Sequence, residues 1–129
     1  MNPKMKILVV DDFSTMRKII RNLLSEIGYI NHVGADDGTT ALPMLKQGDF
    51  DFLITDWNMP GMDGIELLKR VRADENLATM PVLLVTAEAK KEQIVDAARA
   101  GVNGYIVKPF NATVLKNKIE QILKRINGA

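Results

Sequence analysis

Residues 6–28 read KILVVDDFSTMRKIIRNLLSEIG, and this stretch decides the fold. Its first five residues are apolar without alternation after the leading lysine, as in a strand buried on both faces. Asp11 and Asp12 end the run. From Ser14 the spacing changes. Met16, Ile19, Ile20, Leu23, Leu24 and Ile27 fall on one face of a helix. Gly28 stops that helix. A buried strand passed directly to an amphipathic helix is the first half of a βαβ unit.

The same alternation repeats along the chain. Residues 29–34 form a weaker strand. Asp37 caps a short helix that runs to Gln47, with Pro43 inside it. An interior proline costs a helix about 3 kcal/mol, so this one is expected to be kinked or irregular. DFLIT at 51–55 is the third strand and ends at Asp56. Asn58-Met59-Pro60-Gly61 is a turn signal. Asp63 with Glu66 three residues later makes a capping box for a helix to Ala73. PVLLVT at 81–86 is a fourth strand. The helix at 90–100 has a thin apolar stripe of Ile94, Val95, Ala97 and Ala98. GYIV at 104–107 is a fifth strand. Asn111 caps a last helix with Leu115, Ile119, Ile122, Leu123 and Ile126 as its stripe. The expected class is α/β: a doubly wound, five-stranded, mostly parallel sheet with helices on both faces. Its crossovers are right-handed, and its ligands bind beyond the carboxyl ends of the strands.

Composition narrows the function. The 129 residues fit one compact domain, 1–129. A net charge of +1 gives no strong field toward nucleic acid or an anionic membrane, so neither is an expected partner. There is no cysteine, which excludes disulfides, thiolate catalysis and cysteine zinc sites. His32 is the only histidine, so a multi-histidine metal centre is excluded, and it reads as a surface residue. No apolar run reaches bilayer length and no signal-peptide pattern is visible. A soluble, cytoplasmic monomer is expected.

The chemistry follows from where polar residues fall relative to the strands. Strand one ends in Asp11-Asp12, strand three in Asp56, strand four in Thr86 and strand five in Lys108. In a parallel sheet all five side chains crowd one edge. Three carboxylates so close resist ionisation unless a cation joins them. Hard oxygen donors suit magnesium, which keeps several waters and takes few protein ligands. A metal there also seats a phosphoryl group. A single aspartate at a strand end is usually a turn former, but the full set is hard to obtain by chance. Pro109 after Lys108 prevents regular sheet and helps aim the lysine inward. Trp57, next to Asp56, points away from it in a pleated segment and reads as a half-buried surface aromatic. Tyr105 reads equally well as core or surface filler.

These residues resemble a known family. VVDDFSTMRKIIRNLL (9–24), TDWNMPGMDG (55–64), VTAEAK (85–90) and GYIVKPF (104–110) look like the response-regulator receiver domain, and more narrowly its single-domain chemotaxis type. The similarity covers essentially the whole chain with its motifs in order. It implies the flavodoxin-like strand order 2-1-3-4-5. It implies that Asp56 takes a phosphoryl group from a phosphohistidine of a chemotaxis-type histidine kinase or from a small phosphodonor. It implies a Mg2+ ion held by Asp12 and Asp56 side chains, by the Asn58 carbonyl, and by Asp11 largely through water. Lys108 would contact the phosphoryl group, Thr86 would move toward it, and Tyr105 would turn inward with it. The Lys108–Pro109 bond would be cis. Further implied partners are the flagellar motor switch protein, on a face containing Lys91, Ile94, Tyr105, Phe110 and Lys118, and a possible phosphatase. The thinly striped fourth helix should be able to shift. Gln121 stands where many relatives carry a basic residue, and Pro43 and Asp36-Asp37 also vary among relatives.

Other readings fit less well. A phosphorelay shuttle, or a regulator of a non-motor partner, would share the same site. A haloacid-dehalogenase-type phosphatase needs an Asp-x-Asp nucleophile motif, whereas Asp11 and Asp12 are adjacent. A flavodoxin-like flavin binder needs a phosphate-cradling loop after strand one, and FSTMR is a poor one.

Overall fold

The computed structural model describes residues 3–127. Five strands and five helices alternate among them. They are β1 (Ile7–Val10), α1 (Ser14–Ile27), β2 (His32–Ala35), α2 (Gly38–Gln47), β3 (Phe52–Asp56), α3 (Gly64–Ala73), β4 (Val82–Thr86), α4 (Lys91–Arg99), β5 (Gly104–Val107) and α5 (Ala112–Ile126). All four strand pairings are parallel, in the order β2-β1-β3-β4-β5. The expected fold class and strand order are therefore present.

Every residue of β1, β3 and β4 is buried, because helices cover both sheet faces. Alternate strand residues feed two apolar layers. Leu8, Val10, Leu53, Val82 and Leu84 meet Leu45, Leu67, Leu68 and Val71 on one side. Ile7, Val9, Phe52, Ile54, Leu83 and Val85 meet Ile20, Leu24, Leu115, Ile119 and Ile122 on the other. The helix stripes are narrower than their sequence patterns. Ile20 and Leu24 are buried in α1 while Ile19 is exposed, and Ile126 at the end of α5 is exposed too.

Three expected caps form. Asp37 accepts from the Thr40 amide, Asp63 from the Glu66 amide and Asn111 from the Val114 amide, at 2.8, 2.8 and 2.9 Å. Gly28 ends α1 with φ 117, the left-handed conformation that favours glycine. The Gly28 and Tyr29 amides both donate to the Leu24 carbonyl. Residues 28–30 are thus occupied in closing the helix, and β2 begins at His32 rather than at 29. Pro43 does not interrupt α2, which runs continuously from Gly38 to Gln47. The proline removes one backbone donor, but burial of Ala41, Leu42 and Leu45 holds the helix on the sheet. In α4 only Ala97 is buried, so its thin stripe leaves it lightly anchored.

Arg72 is an unforeseen structural element. Its guanidinium donates to the carbonyls of Gly101, Ala78 and Met80 at 2.9, 3.3 and 2.7 Å, and to Asn103 Oδ1 at 2.8 Å. Asn103 Oδ1 also accepts from the Val82 amide. One side chain therefore ties α3 to the loops at the amino-terminal ends of β4 and β5. Among the described residues, no helix is long and apolar enough to cross a membrane.

Candidate functional site

The parallel register brings the ends of β1, β3, β4 and β5 to one edge. Val10 pairs with Thr55, Asp56 with Val85, and Thr86 with Val107. Asp11, one residue past β1, is fully buried, as its amide continues the ladder to the Ala35 carbonyl. Asp12 follows it and is exposed. Asp56, the last residue of β3, is buried, with 5% of its surface exposed. Carboxylate oxygens of Asp11, Asp12 and Asp56 all lie within 4.8 Å of one another. Lys108 Nζ sits 3.1 Å from Asp56 Oδ1.

Asp11 accepts the Phe13 amide on Oδ1 at 2.9 Å, while its buried Oδ2 has no hydrogen-bond partner. Burial pushes the Asp11 carboxyl above its ordinary range; the Phe13 amide opposes this, and the nearby Asp56 charge adds to it. Burial also raises Asp56, against the opposing pull of Lys108. One lysine thus faces three carboxylates. An orphaned buried oxygen within an all-oxygen donor set is the environment a hard divalent cation completes.

Thr86 is buried at the end of β4, beside the site. Its hydroxyl donates to the Glu88 carbonyl at 2.8 Å. Asn58 lies two residues past Asp56 on the exposed start of the β3–α3 loop. The Lys108–Pro109 peptide is cis.

The residues assigned to a partner face fall into two groups. Tyr105, Phe110 and Lys118 line one groove of about 340 Å3, with Lys118 Nζ 5.8 Å from the centre of the Tyr105 ring. Lys91 and Ile94 lie on α4 and do not line that groove. Trp57 is more buried than expected. It packs into the apolar layer with Leu67 and Leu84, because the close approach of α3 covers it.

Three further residues shape the site. Gly64 opens α3 directly beneath Asp56, and its amide donates to the Trp57 carbonyl at 2.8 Å. A Cβ there would collide with the Asp56 carbonyl oxygen and lie 3.0 Å from Trp57 Cα. Arg17 Nη1 donates to the Asp11 carbonyl at 2.7 Å. Glu88 holds the Thr86 hydroxyl through its backbone. The glycine between Asp63 and Ile65 was the only visible trace of the first. The other two are tertiary contacts of residues with ordinary local patterns.

Comparison with known proteins decides the family. The response regulator receiver domain model matches residues 7–120. The chain belongs to the response regulator receiver family. Within it this receiver is of the chemotaxis type. Chemotaxis protein CheY of Pseudomonas aeruginosa is 70% identical over 124 residues, covering 96% of this chain and 100% of its own length. Chemotaxis protein CheY-3 of Vibrio cholerae is 66% identical over 126 residues, covering 98% and 97%. The solved structure of Vibrio cholerae chemotaxis protein CheY4 superposes with a TM-score of 0.87 at 34% identity, covering 92% of this receiver and 98% of that chain.

Proposed function

We propose that this receiver, acting as a single domain, is a phosphorylation switch in which Asp56 accepts a phosphoryl group in a magnesium-dependent reaction. The observation that carries the reading is the Lys108–Asp56 contact of 3.1 Å at an edge shared with Asp11 and Asp12. Asp12 and Asp56 would hold the ion by side chains, Asn58 by its carbonyl and Asp11 through water. Bound there, Mg2+ would offset the carboxylate charge and seat the phosphoryl oxygens.

An Asp56 carboxylate oxygen attacks phosphorus in line. The bond to the donor, a kinase phosphohistidine or a small acyl phosphate, breaks, and its electron pair leaves with the donor. The product is an acyl phosphate on Asp56. Lys108 supplies a fixed positive charge where negative charge gathers. Thr86 must release the Glu88 carbonyl before it can donate to a phosphoryl oxygen, so product formation exchanges one hydrogen bond for another. That exchange pulls on the loop leading into the lightly anchored α4. Tyr105, half-buried on β5, would then turn inward. The protein is in this reading a signalling protein of the cytoplasm that takes part in its own phosphorylation and dephosphorylation, and a phosphatase is a further partner.

The output proposed is binding to the flagellar motor switch protein through Lys91, Ile94, Tyr105, Phe110 and Lys118. Its relatives are named chemotaxis proteins, which supports an output in chemotaxis. The test is the affinity of a motor-switch segment with and without acetyl phosphate and Mg2+. Binding tightened by the phosphodonor is expected. No binding in either condition would move the output to a phosphorelay or a non-motor partner.

A further inference from the structure

A second charged feature lies outside the acidic site. A groove of about 350 Å3 between α1 and the start of β2 is lined by Ser14, Arg17, Lys18, Arg21, Asn22 and His32. Three of these are cations and none is acidic or apolar. The four ion pairs among the described residues involve neither arginine nor Lys18. Arg17 and Arg21 are one helical turn apart on the same face, where like charges repel.

The two arginines are also held in place. Arg17 Nη1 is fixed by the Asp11 carbonyl. Arg21 Nε donates to His32 Nδ1 at 3.0 Å, and its Nη2 donates to the His32 carbonyl at 3.3 Å. Arginine can only donate, so Nδ1 accepts and the His32 proton sits on Nε2, which lies 2.7 Å from Ser25 Oγ. His32 is therefore half-buried and neutral, not the free surface residue its sequence context indicates. Burial and the Arg21 charge both lower its pKa. Each guanidinium is engaged on one side by neutral acceptors, which leaves its other N–H groups free to bind an anion bidentately.

We propose that this groove binds a compact phosphate-class oxyanion of at least two charges, at a site distinct from Asp56. Three converging cations without a counter-charge are what such an anion would relieve. The absence of apolar or aromatic lining argues against a nucleobase or an apolar peptide side chain as occupant. The chemistry is shared by inorganic diphosphate and the phosphate tail of a nucleotide.

The test uses the whole chain in metal-free buffer, where the three carboxylates of the acidic site repel anions. Diphosphate, ATP and a polyglutamate peptide are titrated in turn while the His32 ring protons are followed by NMR; His32 is the only histidine, so its signals need no assignment. Saturable shifts with diphosphate and comparable affinity for ATP are expected. Lys18→Gln and Asn22→Asp, both at exposed positions, should keep the fold. They should weaken diphosphate roughly tenfold, the scale of one charge-assisted hydrogen bond. The proposal is overturned by no saturable shift at millimolar diphosphate, or by undiminished binding in both variants. Much tighter binding of ATP would assign a role to the base, and much tighter binding of polyglutamate would make the groove a protein-docking site; either result also overturns it.

Discussion

Replacing Gly64 by alanine tests how the fold positions the acceptor. The added Cβ would collide with the Asp56 carbonyl oxygen and stand 3.0 Å from Trp57 Cα and 3.1 Å from Leu84 Cδ2. The first two obstacles are backbone and cannot rotate aside, so either α3 or the end of β3 must move. Overpacking of this kind costs about 3 kcal/mol at the upper end of its usual range. Alanine recovers about 1 kcal/mol through helix propensity and a less flexible unfolded chain. The net expectation is a loss of about 2 kcal/mol, or roughly 7 °C in Tm for a domain of this size. The displacement falls on the residue that carries the acceptor carboxylate, so Mg2+ affinity should fall as well. Urea denaturation gives the first quantity, and quenching of Trp57 fluorescence by Mg2+ gives the second. A variant as stable as the parent, with unchanged Mg2+ response, would refute the idea that a bare Cα at position 64 sets the place of Asp56.

Two further substitutions probe the charges. Asp11 has its folded pKa raised by burial, so the native state holds a proton more tightly than the unfolded chain does. Metal-free protein should then lose stability as pH rises from about 3.8 through the folded pKa. Asp11→Asn should reduce this loss, leaving only the part that Asp56 contributes, and should weaken Mg2+ binding; a parent whose stability does not fall as pH rises would contradict it. Arg72→Met keeps an apolar stem but leaves three carbonyls and Asn103 Oδ1 without the guanidinium, so unfolding free energy should drop by about 2–3 kcal/mol with Mg2+ affinity unchanged. A drop below about 0.5 kcal/mol would place that network among the inconsequential surface contacts.

The sheet was legible because its central strands are buried on both faces, and such strands read as unbroken apolar runs. The alternation of KILVV, DFLIT and PVLLVT with amphipathic helices left little choice of architecture. Asp11, Asp12, Asp56, Thr86 and Lys108 were legible for the same reason, since each stands where an apolar run ends. Long-range contacts were not. Gly64 looks like an ordinary helix-start glycine until α3 is laid against β3. The hold of Glu88 on Thr86, and of Arg21 and Ser25 on His32, depends on backbone paths that no local pattern encodes. Pro43 is carried inside a continuous α2 because the packing of its neighbours on the sheet outweighs the propensity of one residue.

The switch proposed above depends on Asp56 as the acceptor. Intact-protein mass spectrometry after exposure to acetyl phosphate and Mg2+ measures it directly, with Asp56→Asn alongside. Uptake of one phosphoryl group by the parent, dependent on Mg2+ and absent from the variant, is predicted. Equal uptake by the variant would contradict it.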